Sequence, residues 1–177
     1  MVRKKIDDFK FLGETDRLMR SGGLLLVSED EEGKPNAMTI GWGLVGTMWR
    51  KPFFTVAVRL SRHTHKLLEE SGSYTVCLPA KGMENVLEVC GTKSGRNIDK
   101  FKELGLTAKR SLSVDAPYIE ECPVHYECEV SFKTEVKSGQ LVKELESDVY
   151  PTGNYHVLYY GLVKGVYAEE SADAKLP

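Results

Sequence analysis

The sequence predicts a mainly β, antiparallel barrel-like fold with a few short helices between strands. Three observations carry that prediction. Short runs rich in β-branched and aromatic residues recur along the chain, each bounded by glycine, proline or charged turn residues. One long stretch, 124–136, alternates apolar and polar residues with a period of two. The helical patterns are brief and stop at glycines. The chain has 177 residues, 41% hydrophobic and 28% charged, enough for a single domain with a real core. No internal repeat or linker divides it, so one domain is expected over residues 1–177.

Taken in order, residues 23–28 form an apolar run closed by the polar segment 29–35, and the strand-like 36–41 follows; together they predict a β-hairpin. Residues 53–60 begin just after Pro52 and read as a strand. A helix over 64–71 would start on a Thr64 cap and stop at Gly72. Residues 73–78 alternate and end at Pro79. Met83, Val86, Leu87 and Cys90 share one helical face, and a further short helix runs from an Asp99 cap to Gly105. In 124–136, Val124, Tyr126, Cys128, Val130, Phe132 and Thr134 share one face. Residues 155–167 form a last long strand, in which Gly161 and Gly165 predict bulges or bends.

Composition excludes several classes. A net charge of −2 and a pI near 6.1 leave no global basic field for nucleic acid or anionic lipid. The longest apolar runs, 22–27 and 52–58, are too short to span a bilayer. The basic N-terminal start is not followed by the apolar block of a signal peptide, so a cytoplasmic location is expected. Cys77, Cys90, Cys122 and Cys128 form no C-x-x-C, and no histidine stands at zinc-finger spacing from them. They read as reduced, buried thiols, with redox sensitivity as the alternative. His125 and His156 sit in strand-like segments and read as packing or hydrogen-bonding residues. No Walker A pattern and no strand-borne G-x-G-x-x-G occurs.

Charge is unevenly spread. Residues 33–68 hold none of the 26 acidic residues, yet include Lys34, Arg50, Lys51, Arg59, Arg62 and Lys66. Such a window lowers the cost of docking an anion. Within it, Ser61-Arg62-His63-Thr64-His65-Lys66 joins a strand to a helix. Helix N-terminal N–H groups, two hydroxyls and a forked guanidinium suit phosphate. Taken alone, the stretch equally fits a Thr64 cap flanked by solvated cations. Likewise 36–43, Asn-Ala-Met-Thr-Ile-Gly-Trp-Gly, fits a strand lying against a flat heterocycle, or a hairpin strand with glycine bends and a core tryptophan. A third segment, 91–101, reads as a flexible basic loop with Lys93 and Arg96, followed by a helix from which Lys100 would reach the same phosphate.

These segments occur in a recognisable order: Lys-Pro-Asn-Ala-Met-Thr-Ile (34–40), Lys-Pro-Phe-Phe-Thr-Val-Ala-Val (51–58), Ser-Arg-His-Thr (61–64), Ser-Gly-Ser-Tyr-Thr-Val (71–76), and Ser-Gly-Arg (94–96) before Asp-Lys-Phe (99–101). In that order, over about residues 20–167, the chain resembles the flavin reductase-like family, and within it the flavoredoxin-type proteins. The resemblance implies an antiparallel split β-barrel that binds FMN and works as a homodimer, with the flavin near the subunit interface. It implies that Asn36, Ala37, Met38, Thr39 and Ile40 line the isoalloxazine and ribityl chain. Ser61, Arg62, His63 and Thr64 would hold the phosphate with Lys100 in support, and Trp42 and Leu78 would neighbour the ring. His65 is left without a role. The implied function is an FMN-dependent oxidoreductase fed by NADH, NADPH or a small redox protein, in which the cofactor carries the chemistry and no protein nucleophile is required. The alternative is an FMN electron carrier or flavin-binding protein without its own NAD(P)H turnover. Pyridoxal phosphate or haem in the same barrel is a third reading, for which no axial-ligand pattern is present.

Overall fold

The structure, a computed structural model, describes residues 3–177; the first two residues of the basic N-terminal start lie outside them. The elements are β1 (Arg3–Ile6), α1 (Leu12–Ser21), β2 (Leu24–Glu29), β3 (Pro35–Ile40), β4 (Gly43–Met48), β5 (Lys51–Arg59), α2 (His63–Ser71), β6 (Ser73–Leu78), α3 (Glu84–Thr92), α4 (Lys100–Leu104), β7 (Ala108–Lys109), β8 (Tyr118–Ile119), β9 (Val124–Glu135), α5 (Lys143–Val149), β10 (His156–Glu169) and α6 (Ala172–Lys175).

The main sheet is antiparallel in the order β3-β2-β6-β9-β10-β5-β4, with β1 added along β10. It curls without closing. Its two edges, β3 and β4, are joined in sequence by Gly41 and Trp42, and Ala57 N–H donating to Trp42 O at 3.3 Å extends the β4–β5 ladder by one residue. The predicted hairpin is the β2–β3 pair, with Leu26 opposite Met38.

Strand periodicity sorts the core into two layers. Every residue of β2 is buried, so its alternate faces must both be covered. Leu24 and Leu26 join the barrel interior with Phe54, Val56, Val76, Tyr126 and Tyr159. Leu25 and Val27 face outward into a second cluster with Ala37, Cys77, Met83, Phe101, Ile119 and Cys122, which α3 and α4 cover. In β9, Val124, Tyr126 and Cys128 face the interior as the alternation predicts. The opposite face is buried too: His125 stacks on Tyr118 with centroids 4.0 Å apart and meets Glu127 Oε1 at 3.2 Å, the packing role expected of it.

Gly161 and Gly165 stand at the two register shifts between β10 and β9, as predicted. A Cβ on Gly161 would lie 2.3 Å from Tyr74 Oη and 2.8 Å from Cys128 Cβ. Gly72 closes α2 in the left-handed region, and Asp99 caps α4 through Lys102 N–H, both as read from sequence. Two boundaries differ. Thr64 does not cap α2: the helix starts one residue earlier, with Arg62 in the cap position and no side-chain cap bond. Gly91 and Thr92 belong to the end of α3 rather than to a loop. Strand β4 carries no local signal, because its turn to β5 is Trp49-Arg50, both at positive φ (50° and 61°), where Asn-Gly is the usual signal.

Candidate functional site

Two adjoining cavities lie along the β3 edge of the barrel. One, of about 180 Å³, is lined by Met38 to Trp42 on the β3 side, by Ala57 and Arg59 of β5, and by Gly91 and His156. The other, of about 120 Å³, is lined by Asn36, Ser61 to Thr64, Cys90, Lys93 to Arg96 and Lys100. Met38 and Arg62 line both, so the two form one groove. Neither lining contains an Asp or Glu.

At the second cavity, β5 delivers the chain to the start of α2, a helix with no acidic residue in its first turn. The open N–H groups and dipole of that turn therefore favour an anion. Thr64 is held from the side, its hydroxyl oxygen accepting from Asn36 Nδ2 at 3.1 Å. That tertiary bond replaces the cap expected from local sequence. Arg96 donates through Nη1 to Ser61 O at 3.1 Å and draws the loop after α3 against the junction. Gly95 is required there, since a Cβ would fall 2.0 Å from Asn36 Oδ1 and 3.1 Å from the His63 ring. Lys100 is buried, and its ammonium donates to Ala37 O (2.7 Å) and Cys90 O (3.0 Å). Burial, with Arg62 nearby, lowers its pKa. His63 is also shifted down, by burial and then by Arg96, Lys66 and Lys100, and its Nδ1 is buried without a hydrogen-bond partner.

The first cavity is walled by rings. Trp42 is 46% exposed, so it is not the core anchor of the alternative reading; its indole lies 4.8 Å from His156 and edge-on to Tyr150 at 6.4 Å. His156 Nδ1 is 2.8 Å from Tyr150 Oη. Burial, then Arg59 and Arg62, depress the His156 pKa to about 4. Arg59 spans the wall, donating to Asn154 O (3.0 Å) and Val149 O (3.3 Å) with its guanidinium over the Trp42 and Tyr150 rings. It thereby fixes the chain between β9 and β10 beside the cavity.

The fold brings Asn36, Met38, Thr39, Ile40, Trp42, Ser61, Arg62, His63, Thr64 and Lys100 to one groove. Ala37 and Leu78 line neither cavity. Ala37 points into the outer core cluster and offers only its carbonyl, to Lys100; Leu78 is wholly buried in the barrel interior. His65 bonds Tyr159 Oη through Nδ1 at 2.6 Å, a contact between α2 and β10. Sequence reasoning missed Arg59, Gly91, Gly95 and His156. Arg59 lies in the acid-free window and was legible there as a charge; His156 gave no local signal, because β10 and Arg59 bring it to the cavity.

A sequence profile described as "Flavin reductase like domain" matches residues 17–176. The chain belongs to the flavin reductase-like family. An uncharacterized protein of Archaeoglobus fulgidus is 31% identical over 140 residues, 76% of this chain and 77% of that one. The flavoredoxin of Desulfovibrio vulgaris superposes with a TM-score of 0.68 at 25% identity, over 88% of this chain and 74% of that one. An FMN-binding domain of a flavin reductase-like enzyme from Shewanella baltica superposes at 0.64 and 19% identity, over 94% and 77%. The fold is the split barrel of these proteins, mainly β with short helices.

The groove fits the flavin mononucleotide of such relatives on this structure's own terms. Lys100 is a buried cation with no carboxylate in the linings, His63 Nδ1 is an orphaned buried atom, and Gly95 makes a cradle that a Cβ would fill. Among the described residues, no helix is long and apolar enough to cross a membrane.

Proposed function

We propose that this protein binds FMN in the groove and works as a flavin-dependent oxidoreductase. The observation that carries this reading is the continuity of a ring-walled cavity with an acid-free, cationic cavity at a helix N-terminus. Bound FMN would supply the two-electron redox chemistry, between NADH, NADPH or a small redox protein and a downstream acceptor.

The chain's residues hold, orient and screen. Arg62, the first N–H groups of α2, Ser61 and Lys100 neutralise a phosphate dianion. Asn36 keeps Thr64 turned for the same end of the groove. Met38, Thr39 and Ile40 present the edge strand β3 to a ring. Trp42 and the 149–154 backbone pinned by Arg59 exclude water from one side. With its pKa near 4, His156 is neutral at pH 7. When Tyr150 donates to its Nδ1, its proton sits on Nε2, a donor for negative charge at a ring edge.

The reading includes a homodimer. Leu44 and Trp49 are 70% and 65% exposed on and beside the open edge β4. Trp49 also meets Phe53 and Phe132, which extend the apolar surface across the sheet. Four buried free thiols agree with a reducing, cytoplasmic setting.

The test begins with the absorbance of the purified protein and its titration with FMN. Flavin bands that disappear in Arg62→Ala/Thr64→Ala are expected, whereas colourless protein that takes up no FMN refutes the reading. Likeness to flavoredoxin favours a second reading, an FMN electron carrier without NAD(P)H turnover. Anaerobic mixing separates the two. Rapid bleaching with NADH or NADPH marks the reductase, and no bleaching with either leaves the carrier.

A further inference from the structure

Between β9 and β10 the chain makes a long excursion, residues 137–154, that buries little of itself. No residue of its helix α5 is buried, and Val142 and Leu145 are exposed, so apolar burial does not seat the helix on the barrel. Tyr150 is the one buried residue of the segment. The excursion is braced from within. Glu146 accepts from Gly139 N–H at 3.0 Å and from Tyr155 Oη at 2.5 Å, and the Tyr150 and Tyr155 rings lie 4.6 Å apart. Left-handed backbone stands near both ends, at Gly139 (φ 79°) and at Gly153 and Asn154 (φ 73° and 59°).

Its attachment to the barrel is narrow. Among the described residues, the hydrogen bonds and ring contacts that join 137–154 to other elements run through Trp42, Arg59 and His156. Arg59 donates to Asn154 O (3.0 Å) and Val149 O (3.3 Å), and its guanidinium lies 5.4 Å from the centre of the Tyr150 ring. Tyr150 Oη is 2.8 Å from His156 Nδ1, and the Tyr150 ring meets the Trp42 indole edge-on at 6.4 Å. Trp42, Arg59 and His156 also line the ring-end cavity. One set of side chains therefore walls that cavity and latches the excursion. A braced segment with a single buried anchor opens locally at far lower cost than the fold itself.

We propose that residues 137–154 form a hinged lid over the ring end of the groove, latched by Tyr150 on Trp42, Arg59 and His156, which opens as a unit to admit and release a flat ring. The structure holds the lid closed. That the ring is a flavin rests on the reading above; the opening itself does not. A ring that stacks on Trp42 or an anion that draws on Arg59 acts on the latch, and by linkage the latch acts on that ligand.

The test starts without flavin. Hydrogen exchange of the folded wild-type chain, read by peptide mass, should show 143–152 opening together, protected roughly a hundredfold less than residues 158–163 of β10. Tyr150→Ala should speed exchange of 143–152 about tenfold or more, the loss of one hydrogen bond and the ring contacts. Peptides of β9 and β10 should exchange as in wild type. Tyr150→Phe keeps the ring, loses only the bond to His156, and should give a smaller rise. Stopped-flow flavin fluorescence then reads FMN entry and exit. Because a lid gates both directions, Tyr150→Ala should raise association and release together, with the dissociation constant nearly unchanged. An association rate that does not rise marks Tyr150 as a plain contact and overturns the lid. Protection of 143–152 equal to that of β10 overturns it too, as does exchange in β9 and β10 that speeds up with that of 143–152. A wild-type chain that takes up no FMN refutes the flavin reading instead, and the exchange results alone decide the lid.

Discussion

Lys100 and His156 are ionisable groups kept where water would not choose to put them. Among the described residues no carboxylate pairs with Lys100, although Asp30 and Asp99 line a small adjoining cavity; its ammonium rests on two backbone carbonyls. A buried cation without a counter-ion is costly unless a ligand supplies one. Lys100→Met is therefore expected to weaken FMN binding at least about tenfold, the loss of one charge-assisted contact, as read by flavin fluorescence. Its unfolding free energy without FMN should stay within about 1 kcal/mol of wild type, since lost carbonyl bonds offset the relieved desolvation. His156 gives a pH prediction. Its folded pKa, about 4, lies below the ordinary histidine value of 6.5, so between those values the unfolded chain binds the proton more readily. The sign is then fixed: stability from this group is full above pH 6.5 and falls as pH drops toward 4, with a slope of at most about 1.4 kcal/mol per pH unit. Urea unfolding at pH 7 and pH 5 should show a smaller loss in His156→Gln than in wild type.

Element boundaries followed local chemistry wherever one residue's backbone decided them. Gly72 ends α2, Asp99 caps α4, and Gly161 and Gly165 mark the β10 bulges. Local chemistry failed where a distant partner intervened. Thr64 had the residue type of a cap, but Asn36 on β3 claims its hydroxyl and the helix begins at His63. The β4–β5 hairpin carries no Asn-Gly, and its Trp49-Arg50 turn holds two bulky residues at positive φ, a conformation held by the Trp49 ring contacts to Phe53 and Phe132. Gly161 gives the prediction at this scale. The Tyr74 ring and Cys128 Cβ crowd its missing side chain, and Tyr74 Oη donates to Phe54 O alongside it. Gly161→Ala should cost roughly 2–3 kcal/mol by overpacking, measured by urea denaturation; an unchanged midpoint would mean that the crowding relaxes freely.

For the whole molecule, the proposed dimer is the property most exposed to test. The wild-type chain should sediment as a dimer at micromolar concentration. Leu44→Asp, at a position already 70% exposed in the single chain, should yield a monomer with an unaltered far-ultraviolet circular dichroism spectrum, because it removes no core contact. A wild-type chain that remains monomeric rejects the dimer and leaves the groove to one subunit. The sequence by itself determined the long strands β2, β3, β5, β6, β9 and β10, the acid-free window and the order of segments that marks the family, because these depend on residue type and spacing along the chain. Only the tertiary structure decided that Ala37 and Leu78 face core layers rather than the groove. It alone brought Arg59, Gly95 and His156 to the groove. The reason is physical: a strand's period of two assigns residues to faces, but which face a ligand meets depends on where the sheet stays open.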